Sequence, residues 1–294
     1  MQNIESVTFE AIGTTWNIEV EVSTHIKIAD VLHAVKERIE IFDKIYSRFR
    51  KDSWVFHLFK NPGTYTVPPD FKKLFDVYQK LYKTTEGLFT PTVGNLLREA
   101  GYDEDYSLRP KKLHKPPRLD TVVSFDKKTI TTHIPVMLDF GAAGKGYLID
   151  IVSEIIKSFD VKHFCVDAGR DIFYYSESET DIQVGLENPV NTSQVIGISQ
   201  FHNKSICGSA GNRRAWGSFH HIVNPITLTS PDDILAVWVI ADSALVADAM
   251  ATALFLNPSK KVSEAYPCEY FLMYNDFSVQ RSENFPAELF TSRV

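Results

Sequence analysis

Residues 243–256 read SALVADAMATALFL, and on a helix of that length the apolar side chains run nearly all the way round. A helix without a polar face belongs inside a protein, so the rest of the chain has to be built around it. Asp248 interrupts the pattern at its middle. A carboxylate so placed is costly unless it is paired or bound to a cation, and Thr252 follows one turn later on the same face. With a backbone carbonyl from a nearby glycine turn, these side chains make a set of hard oxygen ligands suited to Mg²⁺. Residue by residue a plainer reading stays open, in which Asp248 caps or pairs with an arginine and Thr252 bonds back to its own helix.

A second segment, MLDFGAAGKGYLID at 137–150, reads as a strand (Met137 to Phe140), a glycine-rich turn and a helix from about Lys145 to Lys157. It is not a nucleotide-hydrolase phosphate loop, since Asp139 stands where that motif needs its first glycine and Gly146 where it needs a hydroxyl. Nor is it a dinucleotide fingerprint, because Gly141, Gly144 and Gly146 have the reversed spacing. What remains is a helix N-terminus whose free N–H groups favour an anion. Glycines that merely allow close packing explain the segment equally well.

The remaining pattern predicts an α+β fold, with largely antiparallel mixed sheets packed with helices. A hairpin (Val7 to Ile12 and Thr15 to Val22, joined at Gly13-Thr14) leads to helices from Ile26 to Tyr46 and Pro69 to Thr84. The basic, proline-containing stretch 107–119 is a linker or a surface excursion. Short strands are expected at Thr121 to Phe125, Thr129 to Thr132, Phe164 to Asp167, Ile182 to Leu186, Val195 to Ser199 and Tyr270 to Tyr274. A net charge of −6 argues against nucleic acid as a partner. Cys165, Cys207 and Cys268 form neither a disulfide framework nor a zinc pattern. The N-terminus carries no secretory signal and no run spans a membrane, so a soluble, cytoplasmic protein without membrane insertion is expected.

Together the two segments resemble the ApbE family of FAD:protein FMN transferases. That family's D-L-G-G-I-A-K-G-Y-x-x-D is similar to Asp139–Asp150, and its D-A-L-A-T-A-L-F to Asp248–Phe255. Weaker blocks follow in the family's order: IGTTWNIEV (12–20), GLFTPTVGNLL (87–97), VDAGRDI (166–172) and HIVNP (221–225). The resemblance implies one domain over 1–294 made of two intertwined lobes, and transfer of FMN from FAD to a Thr or Ser hydroxyl of an acceptor protein, with Mg²⁺ on the pyrophosphate and AMP leaving. It implies metal ligands at the Gly144 carbonyl, the Asp248 carboxylate and the Thr252 hydroxyl. It places FAD, the substrate, against Ile12, Leu88, Phe89, Thr90, Gly141, Lys145, Tyr147 and Val223, with Ile12 and Phe89 giving the flavin ring its apolar surface. His221 would take the proton from the incoming hydroxyl, with His220 beside it as a competitor for that role.

Several positions depart from the family pattern. The H-I-I-D-P-R-T-G segment is His221-Ile222-Val223-Asn224-Pro225-Ile226-Thr227-Leu228, so its acid, arginine and last glycine are replaced. The T-S-G turn is Ser209-Ala210-Gly211, the aspartate after Gly-x-Phe is Thr90, the paired glycine is Arg170 and the loop alanine is Gly144. These changes leave three other readings open: an FAD pyrophosphatase that uses water, a flavin-binding protein without transfer chemistry, and a structural protein with an empty pocket.

Overall fold

The computed structural model describes residues 3–23 and 25–290. Strands β1 (Ile4–Ala11) and β2 (Thr14–Glu21) form the expected hairpin. Its turn lies one residue earlier than expected, at Ile12-Gly13, because Thr14 already pairs with Ala11. Both turn residues are left-handed, with φ of 46° and 73°, as a two-residue hairpin turn demands. Helix α1 (Ile28–Tyr46) starts two residues late because Ile26 bridges back to Ser23, and it buries Val31, Val35, Ile39, Phe42 and Tyr46 along one stripe.

Next come α2 (Trp54–Lys60), β3 (Thr64–Thr66), α3 (Phe71–Thr84) and α4 (Gly94–Glu99). The stretch 107–119 is a surface excursion tied back to α4, with Lys111 N donating to Glu99 O (2.7 Å) and His114 N to the Glu99 carboxylate (2.8 Å). The strand expected from Thr121 begins later, because one helical turn, α5 (Leu119–Val122), occupies its start before β4 (Val123–Asp126) and β5 (Thr129–Thr132). Residues Met137 to Phe140 belong to no sheet, which corrects the expected strand. They are pinned instead between Gly94, which a Cβ would bring within 2.5 Å of the Met137 carbonyl oxygen, and Pro91, whose carbonyl accepts from Asp139 N.

Helix α6 (Gly144–Ser158) leads into β6 (His163–Ala168), β7 (Asp171–Ser176), β8 (Ile182–Glu187), β9 (Val195–Phe201) and β10 (Ser205–Ala210). After them come β11 (Ala215–Trp216), β12 (Phe219–His220), β13 (Ile234–Ala241), α7 (Ala244–Leu256), α8 (Lys260–Ser263), β14 (Glu269–Tyr274), β15 (Val279–Arg281) and β16 (Ala287–Leu289). Eight strands form one sheet in the order β1-β2-β6-β7-β10-β13-β14-β15, and every pairing in it is antiparallel. Helices α6 and α7 cover one face, and the sheet β16-β9-β8 packs on the other around Tyr174, Leu186, Phe201, Ile206 and Phe271. The expected α+β class is what the chain adopts.

The sheet parts at one place that matters for the site. β7 and β10 pair only at Phe173–Ser205 and Ile172–Ile206. Beyond that point Gly208 N donates to the Asp171 side chain (3.0 Å) instead of continuing the ladder. All three cysteines are free thiols, as expected. Among the described residues no helix is long and apolar enough to cross a membrane.

Candidate active site

The apolar helix is α7, and every residue from Ala247 to Phe255 is buried. Its N-terminus is held by Asp150 of α6, whose carboxylate accepts from Ser243 Oγ (2.8 Å), Ala244 N (2.7 Å) and Leu245 N (3.2 Å). Burial raises the Asp150 pKa even against those bonds. The helices cross at Gly146, where a Cβ would stand 2.1 Å from the Ala244 carbonyl oxygen and 2.6 Å from the Asp248 Cβ. Only glycine fits. The same contact lets Gly146 N donate to Asp248 Oδ2 at 2.8 Å, which seats the buried carboxylate on the N-terminus of α6.

Among the described residues Asp248 Oδ1 accepts no hydrogen bond. Burial raises its pKa, opposed by the nearby Lys145 ammonium and the Gly146 N–H. One turn on, Thr252 Oγ1 lies 3.2 Å from Ser209 Oγ of β10. No cluster of three or more His, Cys, Asp or Glu side chains forms among the described residues. A cation here would therefore rest on one carboxylate and neutral oxygens, which suits a hard ion that keeps water and phosphate in its shell. The donor set fits Mg²⁺, with a free carboxylate oxygen facing a cavity.

That cavity has a volume of about 1210 Å³ and gathers Ile12, Leu88, Phe89, Thr90, Gly141, Gly144, Lys145, His221, Val223, Asp248 and Thr252. Tyr147 is not in its wall. Its hydroxyl donates to Asp70 O (3.0 Å) and its ring packs edge-on to Phe42, so it braces α6 from behind. Phe89 is 1 % exposed, with its ring on Tyr78, so it supports the wall more than it offers a free ring face. Thr90 replaces an aspartate without losing the turn, since its Oγ1 accepts from Thr92 N (3.3 Å).

Sequence reasoning missed three residues here. Asp171 pairs with Lys145 across the parting of β7 and β10. Ser209 stands beside Thr252. Arg48, 3 % exposed, is bound to Asp139. Asp171 and Ser209 stand inside the VDAGRDI block and the T-S-G turn of the family pattern, and Arg48 is a cation next to the buried stripe that ends α1.

The two histidines separate by their bonds. His220 is buried and uses both nitrogens, Nδ1 accepting from Ile222 N (3.3 Å) and Nε2 donating to Pro231 O (2.9 Å). His221 borders the cavity, and its Nδ1 lies 3.1 Å from Arg213 O. A carbonyl only accepts, so Nδ1 carries the hydrogen and Nε2 keeps a free lone pair. Burial and then the Arg214 charge push the His221 pKa down to about 3.

Asn224 lies outside the cavity wall, in the turn behind His221. Its Oδ1 accepts from Ile226 N (2.9 Å) and Thr227 N (3.1 Å), a task an amide oxygen performs as a carboxylate would. Leu228 and Arg170, at positions where the pattern has glycine, keep left-handed φ of 65° and 75°.

The ApbE family model matches residues 12–268. The chain belongs to the ApbE family. Among proteins similar to this ApbE chain is the FAD:protein FMN transferase of Haemophilus influenzae, 24 % identical over 88 % of this chain and 82 % of the relative. The one from Chlamydia muridarum is 25 % identical over 86 % and 85 %. The fold superposes on the flavin transferase ApbE of Vibrio cholerae with TM-score 0.84, at 20 % identity, covering 97 % of this chain and 99 % of that one. The ApbE protein of Thermotoga maritima gives 0.83 at 24 % identity, covering 96 % and 98 %.

Proposed function

We propose that this ApbE chain is an FAD:protein FMN transferase that moves FMN from FAD to a Thr or Ser hydroxyl of an acceptor protein and releases AMP. The single observation that carries this reading is the buried Asp248, seated on the α6 N-terminus with one oxygen unbonded, beside Thr252 in a large cavity. The names of its relatives support the same chemistry.

The acceptor oxygen bonds to the phosphorus of the FMN half, and the bond from that phosphorus to the bridging oxygen breaks, so AMP departs. The hydroxyl proton passes to His221 Nε2, which the depressed pKa keeps neutral and able to accept. The incoming phosphates raise that pKa by their charge. Lys145, held by Asp171 beside the α6 N-terminus, faces the pyrophosphate, while Ile12, Leu88, Thr90, Gly141 and Val223 line the nucleotide. Phe89 backs that wall from the core, and Tyr147 acts on FAD only through α6. Mg²⁺ would be held by the Asp248 carboxylate, the Thr252 hydroxyl and the Gly144 carbonyl, where it would neutralise charge on the phosphates.

Incubating the protein with FAD, Mg²⁺ and a domain bearing a flavinylation-type Thr tests this. AMP release with an FMN-sized mass gain on the acceptor is the expected result. AMP without the adduct would assign a pyrophosphatase, and bound FAD without AMP a binding protein. Asp248→Ala should abolish turnover while the fold persists, and unchanged turnover would remove the cation assignment.

A further inference from the structure

One buried cation in the cavity wall has no part in the chemistry above. Arg48 follows the end of α1 with its side chain 2 % exposed, and its Nε donates to Asp139, whose Oδ1 in turn accepts from Gly141 N (2.7 Å). Its other two nitrogens, Nη1 and Nη2, are buried without a partner. The guanidinium lies 4.1 Å from the Phe49 ring centroid and 5.0 Å from that of Tyr102. Phe49, Val93, Leu97, Tyr102 and Tyr106 complete an apolar, largely aromatic wall around it. Buried donors left unpaired are destabilising, so a group in this position is built to meet an acceptor.

We propose that Arg48 recognises the flavin end of the dinucleotide, with Nη1 and Nη2 donating to two adjacent ring acceptors, a pair that the flavin offers at N1 and the C2 carbonyl oxygen and again at N5 and the C4 carbonyl oxygen. The inference rests on the FAD reading above and adds a residue that reads the flavin ring itself. A guanidinium fork needs two acceptors side by side, as it finds on guanine. Adenine sets an amino donor next to its ring acceptor, or offers one acceptor alone, so the AMP end leaves one N–H unmet. A phosphate would satisfy the fork, but Asp139 already neutralises this arginine and the walls are aromatic. Both features favour a flat, uncharged partner.

The test compares wild type, Arg48→Lys and Arg48→Gln for binding of FAD, FMN and AMP by calorimetry, with the absorption spectrum of the bound flavin as a second readout. Loss of a two-pronged contact should weaken FAD and FMN by about tenfold to a hundredfold, shift the flavin bands and leave AMP binding unchanged. Arg48→Lys keeps the charge beside Asp139, so it carries the test if Arg48→Gln fails to fold. Equal FMN affinity in wild type and Arg48→Lys overturns the inference alone, as does a loss confined to AMP or shared equally by AMP and FMN. A wild-type protein that binds neither FAD nor FMN overturns the transferase reading and this inference with it.

Discussion

The crossing of α6 and α7 and the turn at 220–229 serve the same cavity but fix their residues by opposite means. At the crossing, position comes from contact. Gly146 is the only residue that lets Asp248 reach the α6 N-terminus, and Asp150 bonds three groups at the start of α7. At the turn, position comes from backbone hydrogen bonds: Asn224 N donates to Thr229 O (2.8 Å), Leu228 N to Asn224 O (2.9 Å), and His221 is aligned by Arg213 O. Side chains there can change while the bonds persist. Three departures from the family pattern, Asn224, Ile226 and Leu228, fall in the second region, and the one at the crossing, Gly144, sits where a Cβ would meet nothing nearer than 3.8 Å.

The largest effect is expected from Gly146→Ala. Its Cβ would press on a backbone oxygen that cannot turn aside, so the cost should be on the order of 3 kcal/mol, the upper part of the range for overpacking. Gly144→Ala meets only ordinary contacts and gains helix propensity, about 0.5–1 kcal/mol in favour of alanine. Paired denaturant melts check both. Similar melts for the two variants would show that the crossing is not held by contact.

A smaller effect concerns His221. Its folded pKa of about 3 lies below the ordinary 6.5. Between those values the unfolded chain binds a proton that the folded one does not, so stability falls as pH drops from 6.5 toward 3 and this contribution levels off below that. Asp150 and Asp248, with raised pKa values, act in the opposite sense. The comparison is therefore wild type against His221→Gln, whose melting temperature should decline less between pH 6.5 and 4. Parallel declines would mean that His221 is solvated.

What the sequence disclosed follows the same division. The buried helix, the glycine turn and the hairpin were legible because each rests on local periodicity or on a residue type that one geometry demands, whereas the proposed site residues rest on the resemblance of the two strong motifs. β7 and the parting of the sheet beside it were not, because the Asp171 side chain replaces a ladder bond there and nothing local announces a contact with Gly208. Met137 to Phe140 has the composition of a buried strand but no neighbour to pair with. The aromatic wall of the cavity, with Tyr102 stacked on Trp216 and Tyr106 on Phe49, follows directly on α4, and its path is set by tertiary contacts. The resemblance pointed instead to Phe89, whose ring is committed to Tyr78.

The smallest effects separate the two substitutions within the turn. Asn224→Asp restores the family residue, yet the oxygen that accepts from Ile226 N and Thr227 N is present either way. Stability should change by less than about 0.5 kcal/mol, the usual bound for a surface change that disturbs no special feature. Leu228 is different because its φ of 65° costs a side chain more than it costs glycine. Leu228→Gly relieves that strain, about 1–2 kcal/mol, but gives back about 0.5–1 kcal/mol in chain entropy, so a net gain of under about 1 kcal/mol is expected. The melting temperature should therefore rise slightly for Leu228→Gly and stay level for Asn224→Asp, with FAD affinity unchanged in both. A fall in stability for Leu228→Gly would mean that the leucine side chain holds the turn through its packing near Trp216 and Val223, and that this region too depends on contact.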